Sequence, residues 1–121
     1  MATNIPFRIT GKTITLQTSS SISTSQSRQV LASDFGLTNL PEQLRVVNNG
    51  TVDVWVSFTQ ATATAAFPTA GTTTVGTPTA GIRLKPNVVE IISLNTGPVL
   101  WINDISGTAS QAYDLTPGEG L

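Results

Sequence analysis

Hydrophobic and polar residues alternate with a period of two along much of this chain. The clearest case is the stretch LRVVNNGTVDVWVSF at 44–58. In its second half Val52, Val54, Val56 and Phe58 fall on one face, and Asp53, Trp55 and Ser57 on the other. That is the pattern of a strand with one face on a core. Asn49-Gly50, between the two runs, is a hairpin signal, because tight primed turns need residues that tolerate positive φ. The pattern predicts a β-hairpin over 44–58 with the valine face inward. A second paired unit is expected where residues 81–85 and 88–94 flank Pro86-Asn87, with Pro86 setting the turn and Asn87 in the left-handed position. The strand at 88–94 is apolar on both sides. Val88, Ile92 and Leu94 share one side with Glu90, and Val89 and Ile91 take the other. Such a strand is either central in a covered sheet or part of a subunit contact.

The remaining segments follow the same period. Residues 5–10 form a short extended piece whose Pro6 suits an edge or an arm. Ile14 and Leu16 share one face of a β-branched run at 13–18. The Ser/Thr-rich stretch 18–27 is read as an exposed strand or loop leading into 28–31. Residues 31–41 lack strand periodicity. Ser33-Asp34 is able to cap one turn of helix, Gly36 and Pro41 stop anything longer, and Phe35 and Leu37 are expected in the core. Residues 99–103 are again apolar on both faces, 104–109 carry turn chemistry, and 110–115 form the last strand before a terminal segment at 116–121. About seven to nine short strands with no significant helix predict an all-β fold, an antiparallel β-sandwich or jelly-roll-like domain spanning 1–121, with 1–12 as a possible N-terminal arm.

One stretch breaks the pattern. Residues 59–82 contain no charge, are punctuated by Gly and Pro, and hold Phe67 and Val75 among small side chains. A loop this long is uncommon in a compact domain and is usually functional or disordered. It is expected either to lie against another subunit or to form a surface excursion.

Composition narrows the function classes. Only 11% of the 121 residues are charged and the formal net charge is −1, so no long-range field favours nucleic acid. A weakly charged surface is poor at staying monomeric and reads as one meant to be covered. There is no Cys and no His, which removes disulfides, thiolate sites, the commonest general base and the commonest zinc ligand. No apolar run approaches the roughly 18 residues of a membrane span. The first residues lack a basic stretch followed by an apolar core, so no signal peptide is expected.

No motif proposes a catalytic site. The carboxylates Asp34, Glu42, Asp53, Glu90, Asp104, Asp114 and Glu119 are expected to be solvated or to cap turns, and the isolated Asp104 falls far short of a calcium loop. Neither Lys12 nor Lys85 sits in the Ser-x-x-Lys context of a serine nucleophile. No cofactor or metal is expected. Trp55 and Trp101 are the more telling residues. An exposed strand Trp stacks on a sugar or anchors a protein contact, and otherwise packs under a loop. Arg28, Arg45 and Arg83 are candidates for interface ion pairs or ordinary surface cations. The interface candidates are therefore Trp55, Phe67, Val75, Val89, Ile91 and Trp101.

The segments VVNNGT at 46–51, VDVWVSF at 52–58, GIRLKPNVVEI at 81–91, Trp101-Ile102, SGTA at 106–109 and Thr116-Pro117-Gly118-Glu119-Gly120 together carry a resemblance. Over about the last two-thirds of its length the chain resembles small virion structural proteins of tailed bacteriophages, in particular capsid cement or decoration proteins with a jelly-roll-like fold. The first 40 residues carry no resemblance. What the likeness implies is a non-enzymatic protein on the capsid exterior, made in the bacterial host cytoplasm. It would bind the major capsid protein and bridge its subunits, with no nucleic-acid or membrane partner. Self-association is expected, as a homotrimer first and a twofold dimer second. The alternatives are a head-fibre base or tail-associated β module, a carbohydrate-binding β-sandwich using Trp55 or Trp101, and, last, a small jelly-roll enzyme.

Overall fold

In the computed structural model the described residues are 7–61, 81–94 and 98–120. They form two antiparallel sheets packed face to face. The strands are β1 (Arg8–Ile9), β2 (Ile14–Gln17), β3 (Gln26–Val30), β4 (Gln43–Asn48), β5 (Val54–Thr59), β6 (Ile82–Leu84), β7 (Val89–Ser93), β8 (Leu100–Ser106) and β9 (Ala112–Glu119). One sheet has the order β1-β9-β4-β7, with β2 also pairing β9 beyond the end of β1. The other has the order β3-β8-β5-β6. From β2 onward the chain changes sheet at every connection except β5–β6. That is jelly-roll connectivity, two interleaved Greek keys that leave few consecutive strands paired.

The alternation seen in the sequence fills the space between the sheets. Leu44, Val46, Val54, Val56, Leu84, Ile102, Tyr113 and Leu115 are fully buried in one cluster, with Phe58, Ile82, Ile92 and Leu94 packed against it. Phe35 enters the same cluster from a 3₁₀ turn at Ala32–Phe35. The Leu31 N–H donates to the Asp34 carboxylate at 2.8 Å, and Gly36 ends the turn at φ 73°, a left-handed position that costs glycine little. Leu37 packs partly on the core as well.

Neither expected hairpin exists. β4 and β5 flank Asn49-Gly50, yet β4 pairs with β7 and β9 while β5 pairs with β6 and β8. Gly50 does not take a positive φ, so no primed turn forms. The chain arches from one sheet to the other, and buried side chains satisfy the arch. The Asn48 amide donates to the carbonyls of Val52 and Leu84, both at 2.9 Å, and its oxygen accepts from the Gly50 N–H at 2.8 Å. The Gln111 oxygen accepts from the N–H groups of Thr51 and Val52. Gly50 is required for close approach, since a Cβ there would run into Gln111. Likewise Pro86-Asn87 makes the turn, with Asn87 at φ 65° and the Val88 N–H donating to the Lys85 carbonyl at 3.1 Å. This has the form of a type II turn. It joins β6 in one sheet to β7 in the other.

Two strands are longer than the sequence pattern indicates. β8 runs through Asp104 to Ser106, and β9 runs through Thr116-Pro117-Gly118 to Glu119. A proline inside a strand flanked on both sides loses a ladder donor. Pro117 avoids the loss by position. Its carbonyl accepts from the Thr10 N–H at 3.1 Å, and a hydrogen-bonded antiparallel pair exchanges both bonds. The missing N–H therefore faces Thr10, where β1 has ended and β2 has not begun. Next to it, a Cβ on Gly118 would run into the Phe7 ring and lie 2.8 Å from the Arg8 carbonyl oxygen. Gly118→Val is expected to lift β1 from β9 while the sandwich persists. Amide exchange of Thr10 should speed up at least about tenfold with exchange at Leu115 little changed. Equal acceleration at both sites would show that β1 is integral to global stability.

Candidate functional site

The interface candidates fall on opposite sides of the sandwich. Directly opposed residues of paired strands share a face. On the outer side of the four-stranded sheet one row is Arg83, Trp55 and Ile105, the next Ser57, Asn103 and Ser27, and the third Thr59, Trp101 and Gln29. Trp55 and Trp101 thus belong to one surface. Val89 and Ile91 lie on the outer side of the other sheet, on its edge strand β7. Phe67 and Val75, with most of the 59–82 stretch, lie outside the described residues.

Trp55 is not an exposed platform. It is 8% exposed and packs with Ile105, and a Cβ on Gly81 would come 2.6 Å from its indole nitrogen. Trp101 is half-buried. Between the two tryptophans runs a hydrogen-bonded polar ladder. The Ser27 hydroxyl donates to the Asn103 oxygen at 2.6 Å, and the Asn103 amide donates to the hydroxyls of Ser57 at 3.1 Å and Thr59 at 2.8 Å. The ladder spans β3, β8 and β5 without a charge, and it orders the side chains of this surface.

A second feature, not anticipated from the sequence, lies between the sheets. Asp104 points inward and is fully buried. Arg28 reaches it from β3 with an Nη2–Oδ2 distance of 2.6 Å, and the Tyr113 hydroxyl of β9 donates to the same oxygen. The same Arg28 nitrogen donates to the Gln17 carbonyl of β2 at 2.8 Å. The cluster thus fastens the β2/β9 side of one sheet to the β3/β8 side of the other. Burial pushes the Asp104 carboxyl above the ordinary carboxylate value, against the opposing pull of the Tyr113 hydroxyl and the Arg28 charge. Burial, reinforced by the Asp104 charge, also pushes the Tyr113 hydroxyl well above the ordinary phenol value. Enclosed between the sheets, this carboxyl meets no substrate. It is a fastening, and its place in β8 corrects the turn role expected for Asp104. Strand parity was the available signal, since once 100–106 is taken as a single strand Asp104 falls on the same face as Leu100 and Ile102.

The other carboxylates are dispersed. Asp53 pairs with Arg83 at 3.2 Å and Glu119 with Arg8, Asp34 caps the 3₁₀ turn, and Asp114 accepts from the Thr15 hydroxyl at 2.6 Å. Of the three arginines singled out, Arg28 and Arg83 are engaged within the chain. Arg45 is exposed, with no carboxylate within 4 Å among the described residues.

A third feature is a cavity of about 710 Å³ between the sheets at one end of the sandwich. Leu40, Pro41, Phe58, Ile82, Ile92, Leu94, Val99 and Leu100 line it, and none of its described lining residues is charged. The opposite end is closed by the polar arches of Asn48 and Gln111 and by the Thr18–Ser106 hydroxyl pair at 2.8 Å. An uncharged cavity of this kind accepts apolar groups and offers no acid or base. Among the described residues no group of three or more His, Cys, Asp or Glu side chains is placed to hold a metal, and no helix is long and apolar enough to cross a membrane.

Comparison with known proteins finds no match: no family model fits the chain, and no curated protein or solved structure is significantly similar to it.

Proposed function

We propose that the chain is a virion structural protein of a tailed bacteriophage, binding the outer surface of the head and bridging neighbouring major capsid protein subunits. The observation that carries this reading is the make-up of the outer face of the four-stranded sheet. Ser27, Gln29, Ser57, Thr59, Trp101 and Asn103 form two uncharged rows beside the buried Trp55; the buried Asn103 and Ser57 hold Ser27 and Thr59 in place, and these two, with Gln29 and Trp101, keep part of their surface exposed. Arg83, on the same face, has its charge answered by Asp53. A protein surface docked on such a face need desolvate little charge, and the ordered side chains lose little freedom on contact. The physical task fits the architecture. Packaged DNA pushes outward on a shell, and a rigid β-sandwich bound across subunit boundaries stabilises the bound, expanded state by mass action. Repetition of the site over a lattice multiplies a modest contact.

The carbohydrate-binding alternative loses Trp55, which offers no open ring face, and rests on Trp101 alone. The reading is tested by counting copies of the chain per purified particle and by titrating it onto expanded heads lacking it. A cement protein saturates at a stoichiometry set by the capsid lattice and raises the temperature at which heads rupture. A handful of copies per particle points instead to a tail or fibre module, and absence of the chain from purified particles rules out both virion readings.

A further inference from the structure

The outer face of the five-stranded sheet is ordered in rows. Ile91, Arg45 and Thr116 form one row across β7, β4 and β9, and Val89, Val47 and Asp114 form the next. Arg45 and Asp114 are therefore diagonal neighbours on adjacent strands, about 7–8 Å apart. Each keeps its charge available. Arg45 is exposed and has no carboxylate within 4 Å among the described residues, and Asp114 accepts from the neutral Thr15 hydroxyl. Beside them Val89 is 45% exposed, and Val47 and Ile91 are half-buried. The face is thus an apolar strip next to one positive and one negative position.

We propose that this face packs on the same face of a second copy of the chain, about a twofold axis lying in the contact plane midway between Arg45 and Asp114. The symmetry makes the charges self-complementary. A rotation that sets Arg45 over the partner's Asp114 also sets Asp114 over the partner's Arg45, so one geometric condition yields two ion pairs. On an ideal pleated sheet this axis passes close to Val47 and Val89, which then meet their own counterparts, and Ile91 falls over the partner's Ala112. The axis is oblique to the strands, so the two sheets cross steeply, in the orthogonal class of sheet packing. Of the two assemblies left open by the sequence, the twofold dimer is the one this face fits. The inference does not depend on the phage-head reading, and it leaves the four-stranded sheet free for another partner.

The test is sedimentation equilibrium of the purified chain and of two charge reversals, R45E and D114K, alone and mixed in equal amounts. Wild type should show a concentration-dependent dimer that weakens with added salt. Each reversal alone puts like charges together at both contacts and should raise the dimer dissociation constant at least about tenfold. The mixture should recover dimerisation, because in the mixed dimer the introduced glutamate meets the introduced lysine and the native Arg45 meets the native Asp114. Both positions lie on the sheet surface, and circular dichroism checks that each variant is folded. A wild type that stays monomeric at millimolar concentration, reversals that dimerise as wild type does, or a mixture no tighter than either variant alone would each overturn the proposal.

Discussion

Arg28→Ala is expected to destabilise the fold by about 3 kcal/mol, the lower part of the range for breaking a buried ion pair. The loss arises less from the vanished attraction than from what stays behind. Asp104 is fully buried, and among the described residues Arg28 is the one cation paired with it. One third of the Arg28 side chain is exposed, which softens the effect by letting water approach. Two consequences separate charge from packing. First, the deficit should depend on pH. Burial already raises the Asp104 carboxyl above its unfolded value, so it binds its proton more tightly in the folded chain. Such a group contributes stability that is complete below the unfolded pKa and is lost as pH rises through the folded pKa. Removing Arg28 takes away one of the groups that pull the value down, which widens this window upward. Urea unfolding should therefore show the largest deficit near neutral pH and a deficit that shrinks as pH falls through the raised value and the carboxyl takes up its proton. Second, Asp104→Asn in the Arg28→Ala background should recover part of the loss at neutral pH. A deficit that does not change with pH would assign Arg28 to packing of its aliphatic stem.

The second large effect is expected at Asn48, a fully buried polar side chain with both ends engaged. Asn48→Ala removes the donor for the Val52 and Leu84 carbonyls and the acceptor for the Gly50 N–H. A buried group left without a partner costs about 1–3 kcal/mol. Leu84 is fully buried, whereas the Val52 and Gly50 bonds are only part-buried and water can answer there. The total should come to about 3 kcal/mol. Asn48→Asp keeps the acceptor, loses both donations and sets a carboxylate against two carbonyls, so it should be at least as damaging as alanine. Urea unfolding measures both. A loss under about 1 kcal/mol for Asn48→Ala would show that water takes over all three bonds.

These two residues also mark where the sequence pattern misleads. The valine face of β5, the inward Tyr113 and Leu115 of β9, the 3₁₀ turn with Phe35, and the left-handed Asn87 all follow from local rules. Each depends only on a residue and its near neighbours in the chain. The hairpin at Asn49-Gly50 does not follow, because the same dipeptide serves a tight turn and an arch equally well. The choice was made at a distance. Gln111, about sixty residues away in the chain, accepts from the arch, and β9 and β7 compete successfully for the edges of β4. Asp104 was masked for a related reason. An aspartate followed by Ser106-Gly107 resembles turn chemistry until Arg28 and Tyr113 are placed beside it. Pro117 reads as a strand end until the break between β1 and β2 is seen to lie opposite its missing N–H.

Of the candidate surfaces, the sequence marked Trp55, Trp101, Val89 and Ile91 as apolar positions able to make a contact, but not that they divide between two opposite faces. Nor did it distinguish Arg45 from Arg28 and Arg83, whose charges are answered within the chain.

By itself, then, the sequence determined an all-β sandwich with a given set of inward residues, because strand alternation is a local property of one side chain and the next. Only the tertiary structure decided which strands pair, which polar groups are buried and which charges remain available. Those are matters of residues far apart in the chain, and a period of two assigns a side chain to a face without saying which sheet that face belongs to.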